Sequence, residues 1–174
     1  MKRVAKFEKV SFEEYEKAII EMLPSLEVDA KKAYEDLKMP CRATAHSAGY
    51  DFFTPFKITL EPNQTIKFPS GIRCLMQDDY FLAIFPRSGL GFKFRLQLDN
   101  TVGIIDADFA TDEKVGHIIV KLTNRTNENK TLVLESGQGY AQGIFLPFAL
   151  TVDDNASAVR DGGFGSTDNV LPPR

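Results

Sequence analysis

The sequence lacks tryptophan and has only two cysteines and two histidines among its 174 residues. Cys41 and Cys74 stand far apart and form no CxxC pair, so neither a disulfide framework nor a cysteine-rich metal site is expected. No apolar run of about eighteen residues occurs, so no membrane association is expected. Cysteines that are few and unpaired favour a cytoplasmic protein.

An excess of positive charge is missing as well. Lys and Arg number 21 against 24 Asp and Glu, the formal net charge is −3, and the basic residues are scattered. Because nucleic-acid affinity depends on a concentrated basic surface, no nucleic-acid partner is expected. The basic stretch MKRVAKFEKVSFEE is not followed by an apolar segment, so no secretory signal is expected. An anionic ligand would need individual arginines and a divalent cation to balance its charge.

The hydrophobic pattern changes once, near residue 40. Before that point, apolar residues recur at helical spacing. Ser11 is expected to cap a first helix, with Glu14 completing a capping box. Pro24 is expected to end this helix and Ser25 to cap a second one. We expect residues 1–40 to form a helical segment packed on the main domain rather than a separate partner-binding module.

After residue 40, apolar residues alternate with polar ones at a period of two residues. The runs that predict short strands are KITL, TIKF, GIRCLM, YFLAIF, HIIVKLT, TLVL and YAQGIFLPF. Turns rich in Gly, Pro, Asn and Asp separate them, which is typical of a β-sandwich or barrel. We therefore expect a mainly β, jelly-roll-like β-barrel over residues 41–159. No βαβ alternation is present, so a parallel nucleotide-binding sheet is not expected.

Five stretches interrupt the strand pattern: SAGYD, PRSGLG, DNTVGIIDADF, GQGYAQGIF and RDGGFGST. In PRSGLG, a guanidinium, a hydroxyl and glycine amides follow a strand, a combination that can converge on an anion. GGFGST looks like a phosphate-binding loop, but no helix pattern follows it.

Taken singly, each stretch also has a purely structural interpretation. PRSG is equally typical of a plain turn, IIDADF of a strand with solvent-facing carboxylates, and GGFGST of a disordered tail. Gln142 could satisfy a buried backbone group. His46, in a polar loop, and His117, at the start of a predicted strand, are interpreted as solvated or structural rather than catalytic.

The order and spacing of the five stretches resemble the five motifs of the trimeric dUTP diphosphatase (dUTPase) family. The resemblance runs from about Arg42 to Asp168. It implies a jelly-roll-like homotrimer that hydrolyses dUTP to dUMP and pyrophosphate, by water attack at the α-phosphorus. It also implies that the C-terminal arm, residues 160–174, closes over the site of a neighbouring subunit.

The resemblance implies a role for residues in each motif. Asp106 would hold and activate the attacking water, and Asp51 would anchor Mg²⁺ through its water shell. The phosphate contacts would come from Arg87, Ser88, Gly89 and Gln142. A hairpin containing Asn100, Gly103 and Ile105 would read the uracil edge. The ring of Phe109 would pack under the deoxyribose and exclude a 2′-hydroxyl. From the arm, Phe164 would stack on uracil, and Arg160, Gly165 and Ser166 would grip the terminal phosphates.

The sequence departs from the family pattern at four places. Phe109 stands where tyrosine is usual, and the loop of residues 110–115 after it is longer than usual. Gly139 stands where arginine is common. The tail has one residue fewer than usual between Arg160 and the double glycine, and it has Asp168 where glycine is usual.

Two alternative functions fit the same fold. One is a related dCTP deaminase, acting alone or as a bifunctional enzyme, although that family lacks the full set PRSGLG, IIDADF and GGFGST. The other is a regulatory protein that uses the nucleotide site as a sensor, with residues 1–40 serving a partner.

Overall fold

The computed structural model describes residues 2–160, and these fold as mainly antiparallel β-structure. The strands are β1 (Ala5–Lys9), β2 (Tyr50–Phe53), β3 (Ile58–Leu60), β4 (Thr65–Pro69), β5 (Ile72–Met76), β6 (Tyr80–Pro86), β7 (Leu96–Leu98), β8 (Gly103–Ile105), β9 (Ile119–Asn124), β10 (Leu132–Leu134) and β11 (Gly139–Pro147). The helices are α1 (Phe12–Met22), α2 (Ala30–Glu35) and α3 (Ser88–Phe94), and residues Ala107–Phe109 form a 3₁₀ turn, η1. None of the helices in this described part of the chain is long and apolar enough to cross a bilayer.

The strands pair in four antiparallel sheets within residues 2–160. The largest has the order β2-β11-β6-β8, the next has the order β4-β9-β7, and β1-β5 and β10-β3 form two pairs. This arrangement is jelly-roll-like, as the regular spacing of short strands predicts. All seven predicted strands are confirmed, as β3, β4, β5, β6, β9, β10 and β11.

One core holds these elements together. Its most buried large side chains come from both larger sheets and from α1: Tyr15, Phe52, Phe68, Leu82, Leu122 and Tyr140. Burying a side chain of this size contributes roughly 1.5–3 kcal/mol. Because Tyr15 of α1 belongs to this core, the N-terminal segment is an integral part of the domain.

The N-terminal segment is not purely helical, contrary to the prediction. Residues Ala5–Lys9 form β1, which pairs with β5 in the register Phe7↔Cys74 and Glu8↔Arg73. The sequence AKFEK carries only one large apolar residue, so its alternation is too weak to predict a strand. The pairing with β5 decides the conformation.

The first helix begins as predicted, whereas the second does not. Ser11 caps α1 through a hydrogen bond from the Glu14 amide to Ser11 Oγ, 3.2 Å. The second helix begins at Ala30 with Asp29 as its cap, so the assignment of Ser25 is wrong. Asp29 Oδ1 accepts a hydrogen bond from the Lys32 amide at 2.9 Å, whereas Ser25 lies in the turn that follows α1. Serine and aspartate cap equally well, so composition alone could not choose between them.

Candidate functional site

Asp51 and Gln142 lie directly opposite each other on adjacent strands. They are register partners in the β2–β11 pair, and residues paired in this way project to the same face of a sheet. Gly49 makes room for the glutamine, because a Cβ built on it would lie 2.5 Å from Gln142 Oε1. The absence of a side chain at Gly49, in SAGYD, thus leaves space for Gln142, in GYAQGIF. The sequence analysis did not predict this contact.

Arg87 joins this pair from the end of β6. The neighbouring Pro86 is the register partner of Ala141, and the Arg87 amide donates to the Tyr140 carbonyl at 3.1 Å. Arg87 Nε lies 3.4 Å from Asp51 Oδ1. We call Asp51, Arg87 and Gln142 the Arg87 cluster. Three stretches that are far apart in sequence therefore meet at one end of the largest sheet.

The stretch PRSGLG begins a helix and is not only a turn. Arg87 has extended backbone and precedes α3, whose first residues are Ser88 and Gly89. Both are exposed beside the Arg87 cluster, and a Cβ on Gly89 would meet nothing within 4 Å. The hydroxyl and the open backbone of this first turn therefore lie where an anion near Arg87 could reach them.

Residues 99–102 connect β7 to β8, and these two strands belong to different sheets. The predicted uracil-reading hairpin is therefore a corner, because β7 takes β9 as its partner and β8 takes β6. A cavity of about 340 Å³ lies at this corner. Its lining includes the predicted residues Asn100, Gly103 and Ile105, together with apolar side chains of β9.

Asp99 anchors this corner. Burial alone would raise the pKa of Asp99, but hydrogen bonds from Thr123 and Lys121 and the Lys121 charge outweigh burial and lower it. Lys121 Nζ lies 3.0 Å from Asp99 Oδ2, and Thr123 Oγ1 donates to Oδ1 at 2.5 Å. The ionised carboxylate therefore ties the corner to β9.

Asp106 follows β8 directly and caps η1. Its side chain is about half exposed, and its Oδ2 lies 2.5 Å from Arg160 Nη2. Arg160 Nε also lies 2.9 Å from Asp108 Oδ1. Arg160 thus pairs with two carboxylates of its own chain. Asp108 is a partner that the sequence analysis did not identify.

The Arg87 cluster and Asp106 do not meet within one chain. In the β6–β8 pair, Ile105 is opposite Leu82, so Asp106 lies beyond it, level with Phe81. Arg87 is six residues farther along β6, and six extended residues at about 3.3 Å each span roughly 20 Å. The two parts therefore lie at opposite ends of one strand.

Of the remaining predicted site residues, only Phe109 lies within the described part of the chain. Phe109 is the last residue of η1 and is half-buried against the core. Phe164, Gly165 and Ser166 lie outside the described residues.

His117 is buried and structural, as interpreted from the sequence. Its Nε2 accepts a hydrogen bond from the Gly71 amide at 3.0 Å, which leaves the ring proton on Nδ1. Nδ1 lies 3.5 Å from Glu14 Oε1. Burial lowers the pKa of His117 and outweighs the opposing effect of Glu14, so the imidazole stays neutral.

Comparison with known proteins gives consistent matches over most of the chain. A family model described as dUTPase matches residues 35–168. The deoxyuridine 5'-triphosphate nucleotidohydrolase of Lactococcus lactis subsp. lactis is 35% identical over 144 residues, covering 81% of this chain and 95% of its own length.

Two solved structures share the fold. The dUTPase of Streptococcus mutans is 33% identical, with a TM-score of 0.61 over 83% of this chain and 97% of its own. A mutant dUTPase from phage phi11 of S. aureus, described with a structural Mg(II) ion, has a TM-score of 0.61 at 17% identity, covering 90% of this chain and 98% of its own. At that identity, the phage protein supports the fold alone.

Proposed function

The chain belongs to the dUTPase family and is a dUTP nucleotidohydrolase. From this premise we propose that water attacks the α-phosphorus of dUTP, which gives dUMP and pyrophosphate. The observation that carries this proposal is the Arg87 cluster, where residues of three separate motifs converge on one sheet end. The cytoplasmic location favoured by the cysteine content stays a prediction.

The Arg87 cluster is suited to a triphosphate. Arg87 offers planar N–H donors that match phosphate oxygens, and the Gln142 amide and Ser88 hydroxyl add neutral donors. The cluster also contains Asp51, so an anion bound there needs a cation beside this carboxylate. This local balance suits a protein whose overall charge is −3.

We propose that Mg²⁺ supplies this cation and that Asp51 holds it through bound water. No group of three or more acidic, His or Cys side chains among residues 2–160 could enclose a metal by itself. A single carboxylate fits Mg²⁺, which keeps several waters and binds substrate phosphates. When bound, the ion would offset the charge of the phosphates.

Asp106 is proposed as the general base. A positioned carboxylate can accept a proton from water while the water oxygen forms its bond to the α-phosphorus. The bond from the α-phosphorus to the bridging oxygen then breaks, and pyrophosphate leaves. In the free chain, Arg160 neutralises this carboxylate. A triphosphate would compete for the guanidinium and so free Asp106 to act.

Base and sugar selection are assigned to the corner between β7 and β8 and to Phe109. The cavity of about 340 Å³ has room for a pyrimidine, and Asn100 supplies polar groups beside an apolar wall. Gly103 lies close to β6, since a Cβ there would be 3.3 Å from Ile84 Cβ. Phe109 presents a half-buried ring that could pack on the deoxyribose. Phe164, Gly165 and Ser166 are proposed to complete the site from the arm.

We propose a homotrimer whose sites combine residues of different subunits. The roughly 20 Å between Arg87 and Asp106 in one chain is too long for both to act on the same α-phosphate. Large apolar side chains that are exposed in the single chain support an assembly, among them Phe92 (91% exposed), Phe148 and Leu150 (68%).

One assay tests the proposed function directly. Pyrophosphate release is measured from dUTP, dCTP, dTTP and UTP, and ammonia release from dCTP is measured in parallel. We expect pyrophosphate from dUTP in clear preference to the other three, and no ammonia. Ammonia from dCTP would favour the deaminase alternative, and no hydrolysis of dUTP would overturn the proposal.

A further inference from the structure

Two parts of the chain that lie outside the five motifs are side by side in the structure. One is the N-terminal part of the chain, since β1 and α1 precede residue 35, where the family match begins. The other is the longer loop of residues 110–115 that follows Phe109. The two are connected through Arg73 and His117, which lie on the barrel between them.

The first connection runs from β1 to the loop through Arg73. Arg73 Nη2 lies 3.1 Å from Glu8 Oε2, and both side chains are largely buried. The Nη1 of the same guanidinium donates to the carbonyls of Thr111 (3.4 Å) and Lys114 (3.5 Å). One arginine thus joins a carboxylate of β1 to two backbone groups of the loop.

The second connection runs from α1 through His117. The imidazole is only 5% exposed and lies between the Gly71 amide and Glu14 of α1. His117 follows Gly116, which has φ +61° and packs tightly on the residues after η1. A Cβ on Gly116 would lie 2.3 Å from Ala110 Cβ and 2.7 Å from the Phe109 carbonyl oxygen. A shift of His117 would therefore move Gly116 against the backbone of Phe109.

Apart from the bond of Lys114 Nζ to the Arg160 carbonyl, the hydrogen bonds that the loop donates close it on itself, so its position on the barrel depends on Arg73 and Gly116. The Thr111 amide donates to the Lys114 carbonyl at 3.1 Å, and the Lys114 amide donates to Thr111 Oγ1 at the same distance. Beside the loop, α1 and Phe109 line a cavity of about 220 Å³. Space next to the ring would let it move if the two connections were loosened.

We propose that the N-terminal segment is a positioning element of the nucleoside pocket, in which Glu8 through Arg73 and Glu14 through His117 fix the loop and hold Phe109 against the deoxyribose. This inference rests on the proposed function, because it takes Phe109 as the residue that contacts the sugar. The four residues position the ring and are not themselves catalytic.

The test uses Glu8→Gln, Glu14→Gln and the double variant in the full-length protein. Each exchange keeps the side-chain shape and removes the charge. KM and kcat are measured for dUTP and UTP, well below the thermal midpoint. We expect KM for dUTP to rise about 2- to 10-fold, the scale of one or two charged contacts weakened to neutral ones, and the dUTP/UTP preference to fall by a similar factor.

Lys9→Met is the matched control. Lys9 is also on β1, but its Nζ donates to the Tyr34 carbonyl at 2.8 Å and so connects β1 to α2. We expect this variant to lower the thermal midpoint and leave the dUTP/UTP preference unchanged. Hydrogen exchange of amides 110–117 provides a second measurement, and it should be faster in the double variant than in Lys9→Met.

The outcomes separate this inference from the proposed function. A wild-type protein that does not hydrolyse dUTP would refute the function. An active wild type whose preference and loop exchange are unchanged in the double variant would refute the positioning role alone. The same holds if Lys9→Met shifts the preference as much as the double variant does, since the effect would then be one of general stability.

Discussion

The guanidinium of Arg87 lies directly over Gly139. A Cβ built on Gly139 would be 2.7 Å from Arg87 Nη1 and 3.1 Å from Arg87 Cδ. Arg87 also lies beside Asp51, with Nε 3.4 Å from Oδ1. The arginine that is common in the family at position 139 would therefore occupy the space that Arg87 fills in this protein.

Replacing Gly139 with alanine should displace Arg87 without disturbing the fold. The group that must move is the end of a flexible side chain, and Gly139 is not among the glycines with positive φ. We expect KM for dUTP to rise about tenfold, equivalent to roughly 1.4 kcal/mol, with a nearly unchanged thermal midpoint. Gly91→Ala is the control, because a Cβ there meets nothing within 4 Å. A KM that stays at the wild-type value would show that Arg87 is not needed in its present position.

Asp106→Asn should separate binding from chemistry. The amide keeps the size of the side chain but is a poor proton acceptor, so kcat should fall roughly 10²–10⁴-fold with dUTP binding largely retained. Single-turnover kinetics and a binding titration measure the two effects separately. Turnover within a few-fold of the wild type would exclude Asp106 as the base.

Removal of divalent cations should abolish hydrolysis, and Mg²⁺ alone should restore it. The Arg87 cluster contains a carboxylate next to the proposed phosphate position, so the triphosphate charge needs a cation there. Activity is measured after dialysis against chelator and then on titration with Mg²⁺. Asp51→Asn should raise the Mg²⁺ concentration needed for half-maximal activity. Full activity in excess chelator would contradict the proposal.

Phe109 should favour dUTP over UTP even without a phenolic hydroxyl. Exclusion of a 2′-hydroxyl by this ring depends on close packing, which phenylalanine provides as well as tyrosine. Phe109→Ala should narrow the ratio of kcat/KM for the two nucleotides, measured at equal enzyme concentration. Equal rates of the wild type on both substrates would show that the ring does not read the sugar.

Subunit mixing tests whether Arg87 and Asp106 of one site come from different chains. Arg87→Ala and Asp106→Asn proteins should each be nearly inactive, and they are refolded together in equal amounts. In a cyclic trimer, random mixing leaves about one quarter of sites with both wild-type groups. If both groups came from the same chain, every site would carry one defect and no activity would return. Mass measurement of the mixed trimers is the control.

Much of the barrel could be predicted from the sequence, because its central strands carry their own signal. YFLAIF and YAQGIFLPF are long and apolar, and they form β6 and β11 as expected. Strands that the sequence did not predict, such as β1 and β8, are short. Their extended conformation depends on pairing with β5 and β6. Gly103–Ile105 has three residues that become a strand only because β6 offers a free edge.

The candidate site was predictable in its residue types more than in its geometry. The order of the motifs identified Asp51, Arg87 and Gln142 as candidate site residues. The residues around Arg87 in the sequence do not indicate that its side chain lies over Gly139, which is distant in sequence. The role of His117 was also beyond local signals, since its partners Glu14 and Gly71 are distant in sequence. Such relationships depend on which strands become neighbours, and this is a property of the whole chain.

Through the proposed sharing of sites between subunits, the length of β6 would make activity depend on how much protein is present. With Arg87 and Asp106 at opposite ends of this strand, a lone chain would carry two half-sites and no complete one. On dilution below the concentration at which chains associate, hydrolysis should fall more steeply than the amount of protein. For a trimer in that range, halving the total chain concentration lowers the number of active assemblies about eightfold, since it follows the cube of the free-chain concentration. In that range, a twofold change in the amount of protein would change hydrolysis far more than twofold without any change in the chain itself.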